Sequence, residues 1–264
     1  MSLVFSAIVP HSPMLLESIG KEQAKEALKE TQAALKKIEE ELYLSNPDII
    51  VVISPHEGLY EEAYVVNGHT TFTSSFADFG DLVTTSSWKG CPDIAAKLSH
   101  AGSMSDTTVR LVSKDVISYG TSVPLHMLTT QMPNVKVLPI GFSNMDPKSH
   151  MNFGELIKEV VMDANKRVAI IASGDLSHTL TEKSPAGFNR LGAQFDNELI
   201  SLLETRNSVG LLQLNKEIVE ASQECGYRSL LILIGIIKEM DYTFRRYSYE
   251  YPFGVGYLVG NFTF

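Results

Sequence analysis

Residues 168–178 read VAIIASGDLSH: a short apolar run, a glycine where the chain can turn sharply, and a histidine. The same plan recurs in LVFSAIVPH at residues 3–11 and in IIVVISPH at residues 49–56. Nearly continuous apolar runs of this length read as strands covered on both faces, as parallel sheets are. Residues 135–140 and 254–259 supply two further runs of this kind. Helical patterns lie between them. Across residues 21–43, Ala24, Ala27, Leu28, Thr31, Ala34, Leu35, Ile38 and Leu42 make a stripe of helical period with charged residues opposite. Asn46-Pro47 then ends the helix. Further helices are expected at 149–165, 190–204 and 229–238. Strand–helix alternation implies an α/β fold: a mostly parallel or mixed central sheet flanked by helices on both faces. With no repeat, linker or low-complexity tract, residues 1–264 are expected to form one domain. Residues 57–125 are less regular and are expected to make loops and an extra lobe over one end of the sheet.

The bulk composition excludes several classes. The chain has 264 residues, 44% hydrophobic and 20% charged, which is ordinary for a globular protein with a sizeable core. A formal net charge of −9 opposes general nucleic-acid binding and a polybasic membrane surface, both of which need a basic face. No apolar stretch approaches the roughly 18 residues of a membrane span. The start, MSLVFSAIVPHSP, lacks the basic region and cleavage site of a secretory signal. The two cysteines, Cys91 and Cys225, suggest no disulfide framework. A cytoplasmic location is therefore expected.

The three histidines that follow the strands, His11, His56 and His178, carry the functional reading. In open parallel sheets, ligand sites lie beyond the carboxyl ends of the strands. Pro10 and Pro55 stiffen the turns that present the first two rings. Taken singly, a histidine after a strand reads as a surface or capping residue. Three in the same position relative to three strands read as one site, with His11 and His56 as metal ligands. Two imidazoles and a carboxylate form the facial triad of non-haem iron(II) centres. The third donor lies in ASQECGYRS, residues 221–229. Glu224 is favoured there, with Cys225 the alternative; a thiolate would shift the preference toward zinc or copper. In GDLSH, Asp175 is placed to orient a ring and His178 to act as a general acid/base. His69, His100 and His150 sit in polar contexts that read as exposed, and His126 is a candidate for the core or the pocket rim.

VPHSP near the start, ISPH after the second strand, ASGDLSH, ECGYRS and YPFGVGY, in that order, resemble the LigB-like class III extradiol dioxygenases. The closer likeness is to the branch that holds Memo-like and AMMECR-associated proteins. The resemblance implies one α/β domain with a mixed sheet. It implies iron(II) on His11, His56 and Glu224, with His178 as the acid/base, and a small aromatic diol and O2 as substrates. Memo-like members have a cysteine as the third site residue, which falls on Cys225. That reading implies a metal-binding protein (iron, copper or zinc) acting in redox chemistry or protein interaction without ring cleavage. Homo-oligomers are common in the family. Where dioxygenase members often carry Asp-His-Gly, this chain has Ser118-Tyr119-Gly120.

Overall fold

Three of the apolar runs form the centre of the sheet. In the computed structural model, which describes residues 3–264, they are β1 (Leu3–Val9), β2 (Ile49–Ser54) and β9 (Val168–Ser173). Met1 and Ser2, the start of the N-terminal stretch read above and of the expected 1–264 domain, lie outside the described residues. The remaining strands are β3 (Tyr64–Asn67), β4 (Thr71–Ser74), β5 (Ser87–Gly90), β6 (Val109–Val112), β7 (Val116–Ile117), β8 (Lys136–Gly141), β10 (Thr243–Glu250) and β11 (Tyr257–Thr263). The helices are α1 (Glu17–Ala27), α2 (Lys29–Leu44), α3 (Pro92–Ser103), α4 (Tyr119–Leu128), α5 (Pro147–Asp163), α6 (Arg190–Glu204), α7 (Ser208–Leu212), α8 (Lys216–Ser222) and α9 (Tyr227–Ile237).

Among the described residues, eleven strands make one mixed sheet, in the order β10-β11-β1-β9-β2-β8-β5-β4-β7, with β3 and β6 branching from β8. The central four, β1, β9, β2 and β8, are mutually parallel. The edge at β11 and β10 is antiparallel, which short connections permit. Residues 57–125 do not form a separate lobe. Their strands extend the main sheet: β5 pairs with the lower half of β8 and β3 with its upper half. These strands are two to four residues long, and all but the buried β3 are partly exposed, so their apolar runs are too brief to read in sequence.

Side chains alternate between the two faces of each strand. Ile49, Val51, Ile53, Ile170 and Ala172 pack toward α5, α6 and α9. Ile50, Val52, Ala169 and Ile171 pack toward α2 and α4. The stripe read across 21–43 is split by a break at Leu28, whose φ of −108° and ψ of 27° interrupt the helix. Ala24, Leu28, Leu35, Ile38 and Leu42 stay buried on both sides of it, so the apolar face continues although the helix does not. Beyond Arg228, helix α9 is almost wholly apolar and is buried from Ser229 to Ile237, as its composition requires.

Candidate metal centre

Strand β9 lies between β1 and β2, and its pairing registers Val9 with Ser173 and Ile53 with Ala172. The three carboxyl ends therefore finish at one level. Pro10-His11 and Pro55-His56 leave on either side of Ser173-Gly174-Asp175, and the rings converge. The centroids of His11 and His56 are 5.0 Å apart at 71°. One donor atom from each of His11, His56 and Cys225 lies within 4.8 Å of the others. Asp175, His178 and Cys225 form an overlapping group by the same measure, so the site is one cluster sharing the thiol.

The local folding that delivers Cys225 also decides the fate of its neighbour. Gln223 takes a left-handed conformation, φ 52°, at the end of α8. The Cys225 N–H then donates to the Asp175 carbonyl at 3.2 Å, and the Asp175 N–H donates to Cys225 Sγ at 3.3 Å. The two loops interlock through Gly174 and Gly226. A Cβ on Gly174 would sit 2.1 Å from the Gly226 Cα, so that position tolerates no side chain. Sγ is left 3.5 Å from His11 Nε2.

Glu224, expected as the third metal ligand, is turned out of this cluster. Its carboxylate accepts the Tyr227 N–H at 2.6 Å, satisfying a free donor in the first turn of α9. It lines a separate cavity with Tyr227, Arg228 and Met145. Burial raises its pKa to about 7. A helix-start acid and a ligand one residue apart cannot both face the same way, and the capping role takes the glutamate.

His11 is held in the protonation form a ligand needs. The Ser173 hydroxyl donates its single proton to the Gly120 carbonyl. It can therefore only accept from His11 Nδ1, 3.0 Å away. That places the ring proton on Nδ1 and leaves the Nε2 lone pair facing Cys225. The His11 backbone N–H donates to Asp175 Oδ1 at 3.0 Å. Burial, then the nearby His178, lowers the His11 pKa to about 3; burial, then His11 and His178, lowers that of His56 to about 4. Both imidazoles are thus neutral at pH 7. Burial pushes Asp175 up to about 6 and the Cys225 thiol well above its ordinary value. Replacing Ser173 with alanine is expected to weaken metal binding about 10- to 100-fold, the usual cost of losing an outer partner of a ligating histidine. Isothermal titration with zinc checks this, and unchanged affinity would remove the tautomer argument.

His178 stands at the rim of the cluster with its Nδ1 buried and without a hydrogen-bond partner among the described residues. Its loop is pinned from below: Asp196 on α6 accepts the Ser177 N–H at 2.9 Å and the Tyr249 hydroxyl at 2.6 Å. The His178 N–H donates to the Ser222 carbonyl at 2.8 Å. The cluster opens into a cavity of about 530 Å³ whose wall includes Lys183, Phe253, Val255 and Tyr257. Lys183 carried no sequence signal. Phe253, Val255 and Tyr257 come from the YPFGVGY segment, which sequence reading marked without giving those side chains a place.

The other histidines lie elsewhere. His69 and His126 bond Ser113 and Ser86. His150, read as exposed, is fully buried, with its ring nitrogens against the carbonyls of Asp146 and Ser143. Its position on the inner face of α5 explains this, since the helix buries Met151, Phe153 and Leu156 beside it.

Residues 6–260 match the family described as the catalytic LigB subunit of aromatic ring-opening dioxygenase. The chain belongs to the LigB family. A Clostridium acetobutylicum protein is 26% identical over 268 residues, covering 98% of this chain and 57% of its own length. A 2,3-dihydroxyphenylpropionate/2,3-dihydroxicinnamic acid 1,2-dioxygenase of Dechloromonas aromatica is 24% identical over 156 residues, 56% of this chain and 49% of that protein. This LigB-family chain thus spans about half the length of these two curated relatives. A MEMO1 family protein of Methanosarcina barkeri is 24% identical over 232 residues, 79% of this chain and 81% of that one. The crystal structure of an uncharacterized Escherichia coli K12 protein superposes with a TM-score of 0.69 at 15% identity, covering 99% of this chain and 100% of that one, and so shares the fold. The family gives a dioxygenase-like architecture. Among the described residues, no helix is long and apolar enough to cross a membrane.

Proposed function

We propose that this chain holds one transition-metal ion between His11, His56 and Cys225, and that the ion is a thiophilic one, zinc or copper(I). On this reading the protein follows the Memo-like branch, and catechol ring cleavage is not its activity. The supporting observation is the exchange of donors: Cys225 Sγ faces His11 Nε2 at 3.5 Å while the Glu224 carboxylate caps α9. The spacing suits the group. A nitrogen at about 2.05 Å and a sulfur at about 2.3 Å from one ion lie about 3.6 Å apart at the tetrahedral angle. Imidazole and thiolate donors favour zinc and copper, whereas two imidazoles with a carboxylate favour oxygen-activating iron(II).

A bound ion would supply Lewis acidity to an oxygen ligand drawn from the cavity. The protein's own groups do the rest. Ser173 and Asp175 fix the His11 ring and its backbone. His178 takes up or returns a proton at the cavity rim. Phe253, Val255 and Tyr257 give the cavity an apolar wall that limits water.

A second reading retains ring opening, with iron(II), a small aromatic diol and O2. The open cavity beside His178 favours it, and a thiolate carries the same single negative charge as a carboxylate. Metal analysis of purified protein, followed by anaerobic loading with iron(II) and oxygen-uptake assays across a panel of catechols, separates the two. The expected result is co-purified zinc or copper and no uptake above the metal-free control. Uptake matched by ring-opened product would overturn the first reading in favour of the second.

A further inference from the structure

We infer that the Tyr119 hydroxyl is a fourth protein donor to the ion held by His11, His56 and Cys225; this rests on the metal-binding reading above. Tyr119 Oη lies 2.8 Å from His56 Nε2. Two light donors each about 2.05 Å from one ion lie about 3.3 Å apart at the tetrahedral angle, so the phenol oxygen, now hydrogen-bonded to His56, need move out by only about half an ångström to join the ion. Sγ already stands at a ligand's spacing from His11. The ring is packed into this place. It stacks on His56 with centroids 4.3 Å apart at 30°, meets His11 edge-on at 5.6 Å, and is backed by Phe79 at 5.0 Å.

The backbone beneath it is clamped from three directions. Glu57, next in sequence to His56, accepts both the Ser118 N–H at 3.0 Å and the Ser118 hydroxyl at 2.6 Å. Ser173, which fixes His11, donates to the Gly120 carbonyl. Gly120 is seated against β2 so closely that a Cβ there would lie 2.4 Å from Ser54 Oγ and 2.7 Å from His56 Cδ2. The segment bearing Tyr119 is thus tied to the strand end bearing His56 and, through Ser173, to the ring of His11. A donor held on the same supports as two ligands is preorganised to join them. Tyr119 also forms the wall between the main cavity and a neighbouring one lined by Glu57, Asp78, Phe79 and Lys114. With four protein donors the resting site is closed, as metal-holding sites are, and an oxygen ligand from the cavity would reach the ion only in exchange for Tyr119 Oη.

The test is a crystal structure of the zinc-loaded full chain, together with zinc titrations of the wild type and of Tyr119→Phe, which keeps the ring and its packing. The expected result is Oη within bonding distance of zinc and an affinity at least about tenfold lower in Tyr119→Phe. A purely orienting role for the hydroxyl would also lower affinity, so the structure decides. Zinc on His11, His56 and Cys225 with Oη still bonded to His56, or with the ring turned toward Phe79, overturns this inference and leaves the metal-binding reading standing. Failure of the wild type to bind zinc or copper(I) at all overturns both.

Discussion

Replacing Cys225 with serine should lower affinity for zinc and copper(I) by more than about 100-fold, beyond what outer partners of a ligand cost. The substitution is a sharp probe because it changes little else. Serine keeps an acceptor for the Asp175 N–H now bonded to Sγ, and the interlock through Cys225 N–H and the Asp175 carbonyl is backbone only. The fold should therefore survive while the soft donor is lost. His11→Ala should have a comparable effect on affinity. Glu224→Gln should leave affinity within about threefold of wild type, because a glutamine oxygen still accepts the Tyr227 N–H and the group faces another cavity. Calorimetric titration of the three variants checks this. A large loss in Glu224→Gln with little loss in Cys225→Ser would restore the carboxylate to the site.

Replacing Gly154 with valine should destabilise the protein by about 3 kcal/mol or more, in the range of severe core overpacking. Helices α5 and α9 cross where Gly154 faces the Ile232 carbonyl and Gly235 faces the Met151 carbonyl. A Cβ at 154 would lie 2.2 Å from Ile232 O, and one at 235 would lie 2.1 Å from Met151 O. Both obstacles are backbone, so no rotamer change relieves them and the helices must part. For a chain of this size the loss corresponds to a fall of about 6–12 °C in the thermal midpoint. The effect reaches the site, because α9 begins two residues after Cys225 and its seat against α5 sets where Sγ points. Thermal denaturation followed by circular dichroism measures it. A shift under about 2 °C would show that the crossing can relax, and the tight helix contact would then have no part in holding the site.

The central strands were readable because each is buried on both faces. A parallel strand between two helical layers has no polar face, so Leu3–Val9, Ile49–Ser54 and Val168–Ser173 announce themselves with their true limits. The convergence of His11 and His56 was legible because ligand sites lie beyond the carboxyl ends of parallel strands; that only β9 separates β1 from β2 is set by the sheet order. Helix α6 was legible from its period, and its bounds agree with residues 190–204. The fault lines have local causes. The direction of Glu224 and Cys225 depends on the left-handed turn at Gln223 and on the Gly174–Gly226 contact, which joins segments about fifty residues apart in sequence. Sequence spacing contains neither. The final strand was placed early because Val255 is apolar for a different reason: it faces the cavity, and the pairing of β11 begins at Tyr257. Strands β3 to β7 leave no pattern in the sequence, because two to four residues cannot display a period.

X-ray absorption at the metal edge, on full-length protein loaded with one equivalent of zinc, tests the central claim most directly. A sulfur scatterer at about 2.3 Å, absent from Cys225→Ser, is the predicted result. A sphere made only of nitrogen and oxygen donors, unchanged by that substitution, would contradict the account.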